Sequence, residues 1–152
     1  MPVATGSSPC RMELPVIVMK SAGGMYRSAN TREKGNAAEQ IASAYLAKNG
    51  YRIVERNFHC KVGEIDIIAQ EGGDLVFLEV RSWHSTATVN PVYSVNWRKQ
   101  NKIIKAAELY LAKHVPHPTP ARFDVVIVKL TDPPNVQLIQ DAFGTQPSGF
   151  MD

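Results

Sequence analysis

Gly63-Glu64-Ile65-Asp66-Ile67-Ile68, then the turn Glu71-Gly72-Gly73-Asp74, then Val76-Phe77-Leu78-Glu79-Val80-Arg81 is the stretch that decides the fold. Two β-rich runs joined by a Gly-Gly turn read as paired strands. Alternation puts Glu64 and Asp66 on one face of the first strand and Ile65 and Ile67 on the other. In the second strand Phe77, Glu79 and Arg81 share a face opposite Val76, Leu78 and Val80. Pairing then brings Asp66 and Glu79 together, with Arg81 about 7 Å of strand further on.

Charges inside apolar strands are costly unless paired or bound to a cation. Two adjacent carboxylates repel, and a divalent ion relieves that repulsion. Mg²⁺ in particular is commonly held by one or two carboxylates together with waters and phosphate oxygens. The plain alternative is an ion pair of Arg81 with Asp66 or Glu79, or a solvated sheet face.

Working outward, Ala38, Ile41, Ala42, Tyr45 and Leu46 recur at helical spacing, and Asn49-Gly50 marks the stop. Glu39 lies at the edge of that apolar stripe, where it can look toward the same sheet; alone it would be an N-terminal capping carboxylate, with Asn36. Tyr51 to Phe58 reads as a strand before the hairpin. After the hairpin comes a polar loop with Pro91, then a helix from about Val95 to His114, broken by the three prolines of residues 115–121. Arg122 to Lys129 is strand-like, and Val136 to Asp141 fits a short edge strand. The order is α-β-β-β-α-β, a single α/β domain with a mixed sheet and flanking helices.

The 152 residues are 44% hydrophobic and 20% charged, which suits one domain with its own core and excludes collagen-like or fully disordered classes. The longest apolar runs fall far short of the roughly 20 residues of a membrane helix, so no membrane partner is expected. Net charge is +3, and residues 1–34 alone account for it. A nucleic-acid partner must therefore rest on a local basic face. The long helix offers one: Arg98, Lys102 and Lys105 on one side with Lys99 alongside, opposite Ile103, Ala107, Tyr110 and Leu111. A solvated helix face is the bland alternative. Cys10 and Cys60 make no disulfide framework, so a reduced, cytoplasmic protein is the expectation. Residues 1–30 lack periodicity and read as a disordered leader, 31–144 as the domain, and 145–152 as a flexible tail.

Glu39, Ala42 and Tyr45-Leu46, Gly50-Tyr51, Asn57, Gly63-Glu64-Ile65-Asp66, Phe77-Leu78-Glu79-Val80, Ser94-Val95, Lys99-Gln100, Arg122-Phe123-Asp124-Val125-Val126 and Ala142-Phe143 occur in this order. Together they resemble the YraN-like family of predicted endonucleases, over about residues 33–143. That family is similar to archaeal Holliday-junction resolvases, with a restriction-endonuclease-like fold and a PD-(D/E)XK site. The resemblance implies that Asp66 and Glu79 hold Mg²⁺ or Mn²⁺, with Glu39 an accessory acid. It places Arg81 where the signature usually has lysine, and Trp83 where it favours a second basic residue. The expected activity is metal-dependent phosphodiester hydrolysis on DNA, branched or structured DNA included. The alternative is a nucleic-acid-binding module of the same fold with weak or no catalysis. A homodimer is compatible with either.

Overall fold

The computed structural model describes residues 31–83 and 95–144. The expected leader and tail, and most of the loop holding Pro91, lie outside the described residues. The elements are α1 (Thr31–Lys48), β1 (Arg52–Cys60), β2 (Gly63–Glu71), β3 (Asp74–Trp83), α2 (Trp97–His114), β4 (Ala121–Lys129) and β5 (Asn135–Phe143). The five strands form one sheet in the order β1-β2-β3-β4-β5. Only β3 and β4 run parallel; the other neighbours are antiparallel. That parallel pair requires a long crossover, and α2 lies within it.

Each face of the sheet carries its own apolar core. Ala38, Ala42 and Leu46 of α1 pack on Ile67, Ala69, Val76, Leu78, Val126 and Val128. Ile103, Ala106, Ala107 and Tyr110 of α2 pack on Ile65, Ile68, Phe77, Val125 and Ile127 on the other side. The result is a helix–sheet–helix sandwich, and the continuous apolar runs of β3 and β4 follow from burial on both faces. α1 ends where Gly50 takes a positive φ of 86°, so that the Tyr51 N–H donates back to the Leu46 carbonyl at 3.0 Å. α2 begins with Asn96, whose side chain accepts the Lys99 N–H at 3.0 Å.

The strands extend slightly beyond the expected bounds, and β5 is an edge strand as expected. One expectation fails. Ile65 and Ile67 do not share a face: Ile67 belongs to the α1-side core and Ile65 to the α2-side core. Opposite them, Arg56 pairs with Ile67 and Phe58 with Ile65, and Phe58 packs on the α2 side. Both strands thus change face together at Asn57 and Asp66, and Asn57 has φ 55°. Asn tolerates this left-handed backbone better than most residues. Strict period-2 alternation cannot anticipate such a break.

A polar network fixes the far end of the sheet. Asp124 is fully buried; its Oδ1 accepts the Arg122 Nε–H at 3.1 Å and the Asp141 N–H at 2.9 Å. Arg122 also donates to Asp74 at 3.3 Å, to the Tyr51 hydroxyl at 2.8 Å, and to Glu71. Burial alone would lower the Arg122 pKa, but the hydrogen bonds to Asp124 and Glu71 outweigh it and raise it. One guanidinium therefore ties β4 to the β2–β3 turn and to the start of β1.

Candidate functional site

The β2–β3 ladder stops at Ile67 opposite Leu78. Beyond that point β2 turns away, and the β3 backbone would lose its partner on that side. Asp66 fills the gap: its Oδ2 accepts the Val80 N–H at 2.8 Å. The hydrogen bond satisfies an otherwise open ladder donor and anchors the Asp66 carboxylate beside β3. Glu79 pairs in register with Val125 of β4 and points into a site where it is only 3% exposed.

Burial and the negative charge of Asp66 push the Glu79 carboxyl up to about 8, against the lowering pull of Lys99 and Arg81. Its Oε1 lies 3.5 Å from Arg81 Nε and 3.6 Å from Lys99 Nζ. Its Oε2 is buried with no hydrogen-bond partner among the described residues. A buried carboxylate oxygen in that condition calls for a proton, a water or a cation. The expected convergence of Asp66 and Glu79 is therefore present, and so is the Arg81–Glu79 ion pair that was its plain alternative.

Glu39 approaches the same carboxylates from α1. Its Oε2 is 4.0 Å from Arg56, and its pKa is raised by burial first and then by Asp66, while Asn57 and Arg56 oppose the rise. Glu39 stands well inside α1, beyond the first turn, so the capping role with Asn36 does not apply. Asp66 is thus the middle member of a Glu39–Asp66–Glu79 sequence of interacting charges. No group of three or more His, Cys, Asp or Glu side chains among the described residues is arranged to enclose a metal ion. What the site offers is the Asp66–Glu79 pair, with Lys99 and Arg81 beside Glu79.

The four basic residues of α2 do not act alike. Arg98, Lys102 and Lys105 are exposed along the helix. Lys99 instead turns toward the sheet, where its Nζ lies between Glu79 and Glu64, the latter at 3.4 Å. Glu64 in turn meets His59 at 3.5 Å. The expected place of Lys99 alongside the exposed cations is corrected by its contact with the carboxylates. The usable signal was angular: Lys99 is set one residue, about 100° of helix rotation, from Arg98. Arg56, which flanks Glu39, has no signal of its own in the pattern, and Asn57, which also flanks it, enters only through the family resemblance.

A three-layer α/β domain whose central hairpin holds a carboxylate pair beside a lysine and an arginine defines the class of protein. The model of the Uncharacterised protein family UPF0102 matches residues 38–128, which include every candidate site residue. A UPF0102 protein of Geotalea uraniireducens is 45% identical over 117 residues, 76% of this chain and 92% of its own length. One from Clostridium tetani is 44% identical over 115 residues, covering 74% and 94%. One from Legionella pneumophila strain Paris is 44% identical over 99 residues, covering 64% and 84%. The chain belongs to the UPF0102 family. No helix among the described residues is long and apolar enough to cross a membrane.

Proposed function

We propose that the protein hydrolyses phosphodiester bonds in DNA with the help of Mg²⁺ or Mn²⁺ at Asp66 and Glu79. The observation that carries this reading is Glu79: a carboxylate 3% exposed, set against Asp66, with one buried oxygen lacking a partner among the described residues. The donor set suits a hard divalent ion that takes one or two carboxylates and leaves the remaining positions to water and phosphate oxygens. A bound ion there would lower the pKa of a water and stabilise charge on the phosphate.

The chain's own groups do the rest. Asp66 is locked by the Val80 N–H, so its carboxylate keeps one orientation as substrate enters. Arg81, 3.5 Å from Glu79, can contact phosphate oxygens and stabilise developing charge, but a guanidinium cannot serve as a base. Glu39 adds negative charge beside Asp66 and could bind a second water. The exposed Arg98, Lys102 and Lys105 supply phosphate contacts along α2. The resemblance to PD-(D/E)XK nucleases supports the same assignment. The second reading, a binding module, draws on Arg81: its charge is permanent, and it already pairs with Glu79.

Purified protein incubated with linear, supercoiled and branched DNA, with Mn²⁺, Mg²⁺ or chelator, tests the proposal. Cleavage that needs the metal and is lost in Asp66→Asn and Glu79→Gln is the expected result. DNA binding without cleavage in any metal would give the site to the binding module. Neither binding nor cleavage would remove both readings.

A further inference from the structure

We infer that Lys99 is the group that seats the scissile phosphate against Glu79, a role that rests on the hydrolytic reading above and is distinct from that of the other α2 cations. Three observations support it. First, the Lys99 ammonium stands between a buried carboxylate and a half-exposed one, 3.6 Å from Glu79 and 3.4 Å from Glu64. An ammonium has three donors. With two directed at these carboxylates, the third remains for a phosphate oxygen arriving from solvent. Glu64, its side chain 51% exposed, lies on the solvent side of Lys99, and Glu79, its side chain 4% exposed, on the inner side.

Second, the placement is built into the packing. A Cβ added at Gly63 would lie 3.0 Å from the Lys102 carbonyl oxygen and 3.3 Å from the Lys102 Cβ. Glycine lets the start of β2 come this close to the backbone of α2; a Cβ there would require that backbone to give by a few tenths of an ångström. The same approach brings the first turn of α2, capped by Asn96 at the Lys99 N–H, over the carboxylate pair. Gly63 is thus a positioning residue for Lys99, and Glu64 beside it supplies the outer anchor.

Third, Lys99 is continuous with the exposed row. Arg98, Lys102 and Lys105 can follow a phosphate backbone on the outer face of α2, and Lys99 lies next to Arg98 where the helix meets the sheet. A strand tracked by the outer cations reaches Glu79 by way of Lys99. Outer cations then govern affinity, whereas Lys99 acts where charge develops. A lysine suits that inner place because it is a compact point charge with rotatable donors, unlike the planar fork of Arg81.

The test uses the full chain and labelled duplex DNA. Binding is measured in chelator as a function of salt, and single-turnover cleavage at saturating DNA with Mn²⁺. Lys99→Met and Lys99→Gln should each lower the log–log salt slope by about 0.9 and the saturating rate by about 10²-fold. Lys99→Arg should restore the slope and only part of the rate. Lys102→Met should lower the slope in the same way but the saturating rate far less than either Lys99 variant. Gly63→Ala, which keeps every charge but crowds the α2 backbone at Lys102, should keep the slope and lose rate.

A slope unchanged in both Lys99 variants overturns the phosphate seat, whatever happens to the rate, because a purely structural ion pair with Glu79 would leave the slope intact. A slope that falls while the saturating rate holds makes Lys99 one more tracking cation and also overturns it. If wild type binds but never cleaves, and the Lys99 variants still lose slope, the phosphate contact stands and the hydrolytic reading falls. Wild type that binds no duplex removes both.

Discussion

Glu79→Gln should stabilise the protein at neutral and alkaline pH, although it removes a charge that contacts two cations. In the folded chain the Glu79 carboxyl is raised from 4.5 to about 8 by burial and by Asp66 of β2, with Lys99 of α2 and Arg81 of β3 opposing the rise. A raised folded pKa means that the native state holds a proton the unfolded chain has released. The associated stability is complete below about pH 4.5 and is lost as pH climbs through about 8. At about 1.4 kcal/mol per pH unit, the loss is about 3 kcal/mol by pH 7 and about 5 kcal/mol above pH 8. Water entry and small movements relax a buried charge and bring the loss below these figures. Glutamine copies the neutral acid, so the variant escapes the loss. Urea unfolding of both proteins at about pH 4.5, 7 and 8.5 should show curves that coincide in acid and separate as pH rises, with the variant more stable. Mn²⁺ should restore alkaline stability to wild type by binding its native state, and do far less for the variant. A variant less stable than wild type at every pH would refute the reasoning: Glu79 would then be an ionised partner of Lys99 and Arg81 whose pairing outweighs its burial.

Other consequences can be checked separately. Arg122→Met should cost about 3–5 kcal/mol in urea unfolding, because Asp124 remains fully buried with its cation gone; a loss under about 1 kcal/mol would show that the Asp141 N–H and the Tyr51 hydroxyl, which donates to Asp124 at 3.5 Å, suffice. Neutralising Arg98, Lys102 and Lys105 together should reduce the salt slope of duplex binding by about 0.9 for each phosphate that no longer meets a cation, with little change in melting temperature; an unchanged slope places the DNA surface elsewhere. Arg81→Ala should slow single-turnover cleavage by about 10²-fold while Arg81→Lys retains it; equal rates in wild type and Arg81→Ala would end a catalytic role for Arg81. Asp66→Ala should lose the Val80 hydrogen bond at a cost of about 1–3 kcal/mol and abolish Mn²⁺ binding by calorimetry; retained metal binding would exclude Asp66 as a ligand.

The residue pattern by itself determined the elements and their class. Glycine and proline at the element ends, helical spacing in residues 38–46 and 103–111, and alternation on either side of the Gly72-Gly73 turn are local signals, because they reflect backbone preferences and one-sided burial. The same local reading brought Asp66 and Glu79 together, since a short turn leaves two strands little choice but to pair. Tertiary structure decided what lies across element boundaries. The change of face at Asn57 and Asp66 depends on both strands twisting together, and Ile65 and Ile67 are equally apolar on either side. Lys99 differs from Arg98 by one step along a polar helix surface, and the way α2 settles on the sheet, with Ile103, Ala106, Ala107 and Tyr110 inward, determines which of them meets Glu79. The Arg122 network unites residues 51, 71, 74, 122 and 124, separations that no periodicity records. Charge type and strand register are written in the chain; which charges share one desolvated space follows from how the helices settle on the sheet, and that space is what raises Glu79 and defines the site.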